Sequence, residues 1–144
     1  MRKIQLSLGS VAGAFSNGSE TERWFIDEKN GRVFLISSEY QTDEAVEQAV
    51  DMINKNRDNF IPLPYMTDED FLAEVDVYSS TVSSKPALAK LLEMAVAEKY
   101  SKGQVMQVLN RDPGQKTEFG EFYSKRVQER VKSWLKYMEI ELID

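Results

Sequence analysis

The chain has no cysteine and no histidine among its 144 residues. Without thiols there is no disulfide framework, no thiolate nucleophile and no cluster of the iron–sulfur type. Without imidazole there is no Ser–His or Cys–His catalytic pair and no histidine-held haem, and structural zinc loses its usual donors. An enzyme built on this sequence would have to work with carboxylates, Lys, Arg, Tyr or Ser, with or without a hard cation. Long apolar runs are missing too, since none approaches the roughly 20 residues that span a bilayer. The stretch from Met1 to Phe15 starts with Arg2-Lys3. Gln5, Ser7 and Ser10 interrupt its apolar residues, so it makes a poor signal peptide. These absences point to a cytoplasmic, non-enzymatic protein with no cofactor, no metal and no membrane association.

What is present favours a packed core. Hydrophobic residues make up 42% of the chain, with seven Phe, six Tyr and two Trp. That is too apolar for disorder, and the length suits a single domain over residues 1–144. Charge is uneven. Residues 39–76 hold eleven acidic and two basic side chains, whereas residues 1–38 and 77–144 are each slightly basic. An acidic middle discourages phosphate-backbone binding, which depends on Lys and Arg. So strong a local imbalance in one small domain should bring basic groups beside it.

Along the chain, Ile4 to Phe15 reads as a short helix with Ser7 near its start. Thr21–Asp27 and Arg32–Ser37 are β-rich runs joined by Glu28-Lys29-Asn30-Gly31, a hairpin signal. Both runs are apolar on both faces, so two covered sides are expected. Thr42 opens an acidic helix with Val46, Ala49, Val50 and Ile53 along one stripe. Phe60 to Pro64 must be extended, because the residue before a proline is pushed out of the α region. Pro62 and Pro64 then confine it to a sheet edge. Thr67 caps a helix from Asp68 to about Tyr78, and Ser79–Ser84 is a loop.

Pro86 opens a helix with the stripe Leu88, Leu91, Leu92, Ala95 and Val96, which Gly103 breaks. Gln104 to about Arg111 forms another short helix, and Asp112-Pro113-Gly114 turns the chain. A long helix from about Thr117 to Met138 aligns Tyr123, Val127, Val131, Trp134, Leu135 and Met138, with Trp134 expected to be buried. Ile140–Asp144 is a short tail for which an extended conformation is open. The fold class is therefore α+β, a small antiparallel sheet packed with five or six helices. The sheet would be the hairpin plus a third edge strand.

This order of pieces resembles a bacterial protein family known only as uncharacterised. The hairpin Trp24-Phe25-Ile26-Asp27…Asn30-Gly31-Arg32-Val33-Phe34-Leu35-Ile36 carries the resemblance. So do the acidic helix, the Ile61-Pro62-Leu63-Pro64 segment and the aromatic helix from Phe119 to Trp134. The resemblance implies an α+β fold with a small antiparallel sheet and brings no catalytic or ligand residue.

Candidate sites are few. Asp68, Asp70 and Glu74 are carboxylates that could hold a hard cation, but no twelve-residue calcium loop accompanies them, and helix caps account for them as well. Phe60, Ile61, Leu63, Tyr65 and Met66 form an apolar, extended segment that suits either a partner surface or an edge strand filling the core. Arg126 and Arg130 border the apolar stripe of the long helix, so at least one should meet a carboxylate of residues 39–76 or a partner. The lysines there alternate with Glu118, Glu121 and Glu129, the pattern of a solvated face. The composition thus favours a protein-binding or regulatory module, monomeric or weakly dimeric. Nucleic-acid association through the basic flank of the last helix is the alternative.

Overall fold

A computed structural model describes residues 1–144. In chain order its elements are β1 (Arg2–Gln5), α1 (Leu8–Asn17), β2 (Glu22–Asp27), β3 (Arg32–Ser37), α2 (Asp43–Lys55), β4 (Phe60–Pro62), α3 (Asp68–Thr81), α4 (Pro86–Ala97), α5 (Lys102–Leu109), α6 (Pro113–Tyr137) and β5 (Ile140–Ile143). The class is α+β and mostly helical. No helix is long and apolar enough to cross a membrane. The chain divides into two compact units, Met1–Met66 with Val127–Asp144, and Thr67–Arg126.

The first unit is organised by the hairpin. β2 and β3 pair antiparallel with Trp24 opposite Leu35 and Phe25 opposite Phe34. Gly31 ends the turn at φ +60°, a conformation that costs any residue with a Cβ. The turn also lies against the backbone of Gln5, where an added Cβ would sit 2.5 Å from the carbonyl oxygen. β4 joins the other side of β2, giving the order β3-β2-β4 with Ile26 opposite Ile61. Pro62 is tolerated there because β4 is an edge strand, and the Leu63 N–H resumes the ladder on the Trp24 carbonyl at 3.0 Å.

Side chains alternate across a strand, so the hairpin needs cover on both faces. Phe25, Phe34 and Ile36 pack with Phe60 and with Val46, Ala49 and Ile53 of α2. Ile26 points the other way and is fully buried, on a hairpin that α1 also contacts. At the outer edge of β3 one side chain takes up two backbone groups. Gln41 accepts from the Ser37 N–H at 3.2 Å and donates to the Leu35 carbonyl at 3.4 Å. Those are groups that an added strand would need.

The start of the first helix and the burial of Trp134 differ from what the sequence predicts. Ile4 and Gln5, expected at the start of a helix, lie in a strand, and α1 starts only at Leu8, behind Ser7, whose Oγ accepts the Ser10 N–H at 3.1 Å. β1 pairs in parallel with β5, Ile4 opposite Leu142, so the tail is a strand. A parallel ladder between the two ends of the chain has no local signature. Trp134 is half-buried, while Val127, Val131 and Leu135 are buried. Trp is so large that it seldom disappears completely from a surface.

The second unit is helical. Its core joins Phe71, Val75, Tyr78 and Val82 to Leu92, Ala95, Val105, Leu109 and Phe119. Several helix ends differ from the sequence reading. α3 runs three residues into the serine-rich stretch, where Ser79 Oγ and Thr81 Oγ1 donate to the carbonyls of Asp76 and Tyr78. α4 is ended by Lys99 in the left-handed region at φ 55°, with the Tyr100 and Lys99 N–H groups returning to the Ala95 and Val96 carbonyls. Gly103 lies inside α5, which Ser101 and Gln104 start as a reciprocal cap. α6 begins at Pro113, because Asp112 caps it by accepting the Gly114 N–H at 3.0 Å and Pro113 suits a first helical turn.

Candidate functional site

Each unit holds a buried carboxylate. In the first, Asp27 is completely buried at the end of β2. Burial by itself pushes its pKa up. Against this, it accepts hydrogen bonds from Asn30 Nδ2 at 2.8 Å, Asn59 Nδ2 at 2.8 Å and Arg32 Nε at 3.0 Å, with the Asn30 N–H adding to them. The hydrogen bonds prevail and hold the carboxyl at about 2. Asp27 therefore clamps the hairpin turn to Asn59, just before β4. With every partner drawn from the neighbouring backbone turns, its role is structural.

The second unit carries polar groups through its helical core. Thr67 and Asp70 form a reciprocal cap at the start of α3, each side chain accepting the other's N–H at 3.0 Å. One turn on, Glu74 is 1% exposed and pairs with Arg126 of α6, Nε to Oε2 at 2.5 Å and Nη2 to Oε1 at 3.4 Å. A further turn on, the Tyr78 hydroxyl meets the Nε2 amide of Gln115, and both residues are buried. Burial and then the nearby Glu118 charge raise the Tyr78 pKa, opposed by the Gln115 contact. Gln115 Oε1 accepts from Lys85 Nζ at 2.8 Å, and that ammonium lies 3.8 Å from Asp112 Oδ2.

This polar chain reaches the surface in a groove between α4 and α5. One cavity of about 180 Å³ is lined by Lys85, Leu88, Leu91, Val108, Leu109, Arg111, Asp112 and Gln115. A second, of about 300 Å³, shares Leu91, Val108 and Arg111 and continues to Met94, Tyr100, Gln104 and Gln107. Arg111 stands exposed where the two meet, and it makes no ion pair or hydrogen bond within the chain. The groove has an apolar floor, cations at its rim and one fully buried amide at its end.

The residues singled out from sequence fall elsewhere. Phe60, Ile61, Leu63 and Met66 are buried, which is the edge-strand alternative with its side chains in the core. Tyr65 is half-buried, with the Arg23 guanidinium 5.6 Å over its ring. Arg126 reaches a carboxylate of the acidic stretch, as the charge imbalance anticipates. Arg130 is half-buried on the same helix. Asp68, Asp70 and Glu74 do not converge, and no group of three or more acidic side chains is placed to hold a metal ion.

Sequence reasoning passed over the groove because Leu88 and Leu91 looked like core. They are only half-buried, while Leu92 and Ala95 fill the interior. Their spacing with Leu92, Ala95 and Val96 is that of an ordinary core-facing stripe, so periodicity alone could not mark them as groove lining. Gln115 gave no signal, since nothing local marks a glutamine for burial.

No curated protein and no solved structure matches the chain. A family model does match, over residues 1–144, and the chain belongs to the Uncharacterised protein family (UPF0158).

Proposed function

We propose that the protein is a non-enzymatic protein-binding or regulatory module of the bacterial cytoplasm, with the α4–α5 groove as its binding surface. One observation carries this reading: Arg111, exposed and without an ion pair in the chain, lines both cavities together with half-buried Leu91 and Val108. Arginine beside apolar side chains is the composition that protein interfaces favour, because the planar cation gives up water more readily than an ammonium. The chain's lack of histidine and cysteine supports binding over catalysis. Nucleic-acid association has less support. Arg126 is held by Glu74, and glutamates alternate with the lysines of α6.

The test is affinity capture with the wild-type chain and with Arg111→Glu, which alters only an exposed side chain. A discrete set of proteins retained by the first and lost from the second is expected. The same set on both, with the variant shown by circular dichroism to be folded, would refute the reading.

A further inference from the structure

We infer that the groove takes an acidic amphipathic helix of a partner protein. The inference rests on the proposed function above and adds the chemistry of the partner. Its first support is shape. Lys85 and Leu88 share a cavity with Arg111 and Asp112, whereas Met94 shares one with Tyr100 and Gln104. The start of α4 thus faces the end of α5 and the reverse, so the two helices run antiparallel with the groove along both. Its walls repeat at helical spacing, Leu88, Leu91 and Met94 on one side and Gln104, Val108 and Arg111 on the other. From Leu88 to Met94 the groove extends about 9 Å at 1.5 Å per residue, nearly two helical turns. A groove between two antiparallel helices is filled by a third helix that lays apolar anchors at i, i+3 or i+4, and i+7. Met94, 41% exposed, lacks such an anchor within its own chain.

The second support is charge. Arg111 is the cation on the groove that no carboxylate of the chain meets, since Lys85 lies 3.8 Å from Asp112, in a protein of net charge −6. Asp112 is the one carboxylate among the lining residues. Its Oδ1 accepts the Gly114 and Gln115 N–H groups at the positive end of α6, which offsets its charge. At the start of α4, Lys85 makes no side-chain cap, so that helix also presents a positive end to the groove. A partner helix with carboxylates flanking its apolar anchors suits Arg111 and the uncapped start of α4, and a basic one does not. Charge complementarity of this kind sets partner choice and association rate more than it sets total affinity.

The test uses the full chain and two fluorescein-labelled synthetic peptides of about 15 residues, long enough to form a helix on binding. One repeats leucine at i, i+4, i+7 with glutamate on the flanks, and the other replaces every glutamate by lysine. Fluorescence anisotropy should show saturable binding of the acidic peptide, weakened about tenfold or more by Arg111→Glu and by added salt. The lysine peptide should not bind. Amide shifts of Leu88, Leu91 and Val108 in a ¹⁵N-labelled chain should locate the complex.

Equal binding to wild type and Arg111→Glu, or equal binding of both peptides, would overturn the inference. So would chain self-association that Arg111→Glu abolishes, because the occupant would then be a second copy. If neither peptide binds but affinity capture still depends on Arg111, the acidic-helix inference falls and the binding-module reading stands.

Discussion

Arg126 closes on Glu74 across 52 residues of sequence, its Nε 2.5 Å from a carboxylate oxygen that solvent does not reach. The guanidinium itself is 38% exposed, so the pair is buried on one side only. Removing the arginine takes a bidentate cationic partner from a carboxylate that lies in the helical core. Arg126→Ala should therefore cost about 3 kcal/mol, the lower end for a broken buried pair, read from the urea midpoint. Adding Glu74→Met to that variant should recover much of the loss. A double variant no more stable than the single one would show that the pair is not the source of the effect.

The Asp27 clamp makes stability depend on acid. Its carboxyl titrates at about 2 in the folded chain against 3.8 as a model group. A depressed folded pKa contributes stability that is present above the unfolded value and is lost as pH falls toward the folded one. The shift corresponds to about 2.5 kcal/mol, present above pH 5 and largely gone near pH 2. Asp27→Asn should flatten that part of the pH–stability curve, measured by urea unfolding between pH 6 and 2. An unchanged slope in the variant would count against the clamp.

Gln115 satisfies the buried Tyr78 hydroxyl and accepts from Lys85. Gln115→Ala should cost about 1–3 kcal/mol for the polar group left without a partner, beyond the lost packing. Tyr78→Phe placed on top of it should then be nearly neutral. If the two losses add fully in a denaturation series, the hydroxyl does not rely on that amide.

Two backbone positions give opposite expectations. Lys99 ends α4 at φ 55°, a conformation in which glycine carries no penalty. Lys99→Gly should raise stability by up to about 1 kcal/mol, seen as an increase in Tm. Gly31→Ala meets the same left-handed cost in reverse, plus the Gln5 carbonyl 2.5 Å from the new Cβ. It should destabilise by at least about 1–2 kcal/mol. A neutral Gly31→Ala would mean that the turn is not held against Gln5.

Local rules carried far into the structure. The hairpin was legible because β-rich runs flank a turn ending in Asn30-Gly31 and because both faces are apolar. Thr42 and Thr67 announced α2 and α3 because an N-cap hydroxyl acts within three residues. Helix ends were read less well wherever an uncommon residue did the work. Lys99 took the place of a glycine, and Asp112 acted as a cap although the tripeptide around it reads as a turn.

Composition alone determined that no thiol or imidazole is present, and the charge imbalance indicated that an arginine of α6 would meet the acidic stretch. Only tertiary structure decided that Ile4 would pair beside Leu142, that Glu74 would be the arginine's partner, and that Phe60 to Met66 would turn inward. It alone opened a groove beside Arg111. The division has a physical cause. Capping, turn geometry and periodicity act over a few residues, so one strand of sequence contains them. Burial and ion pairing depend on which distant surfaces exclude water from each other, and no local pattern encodes that.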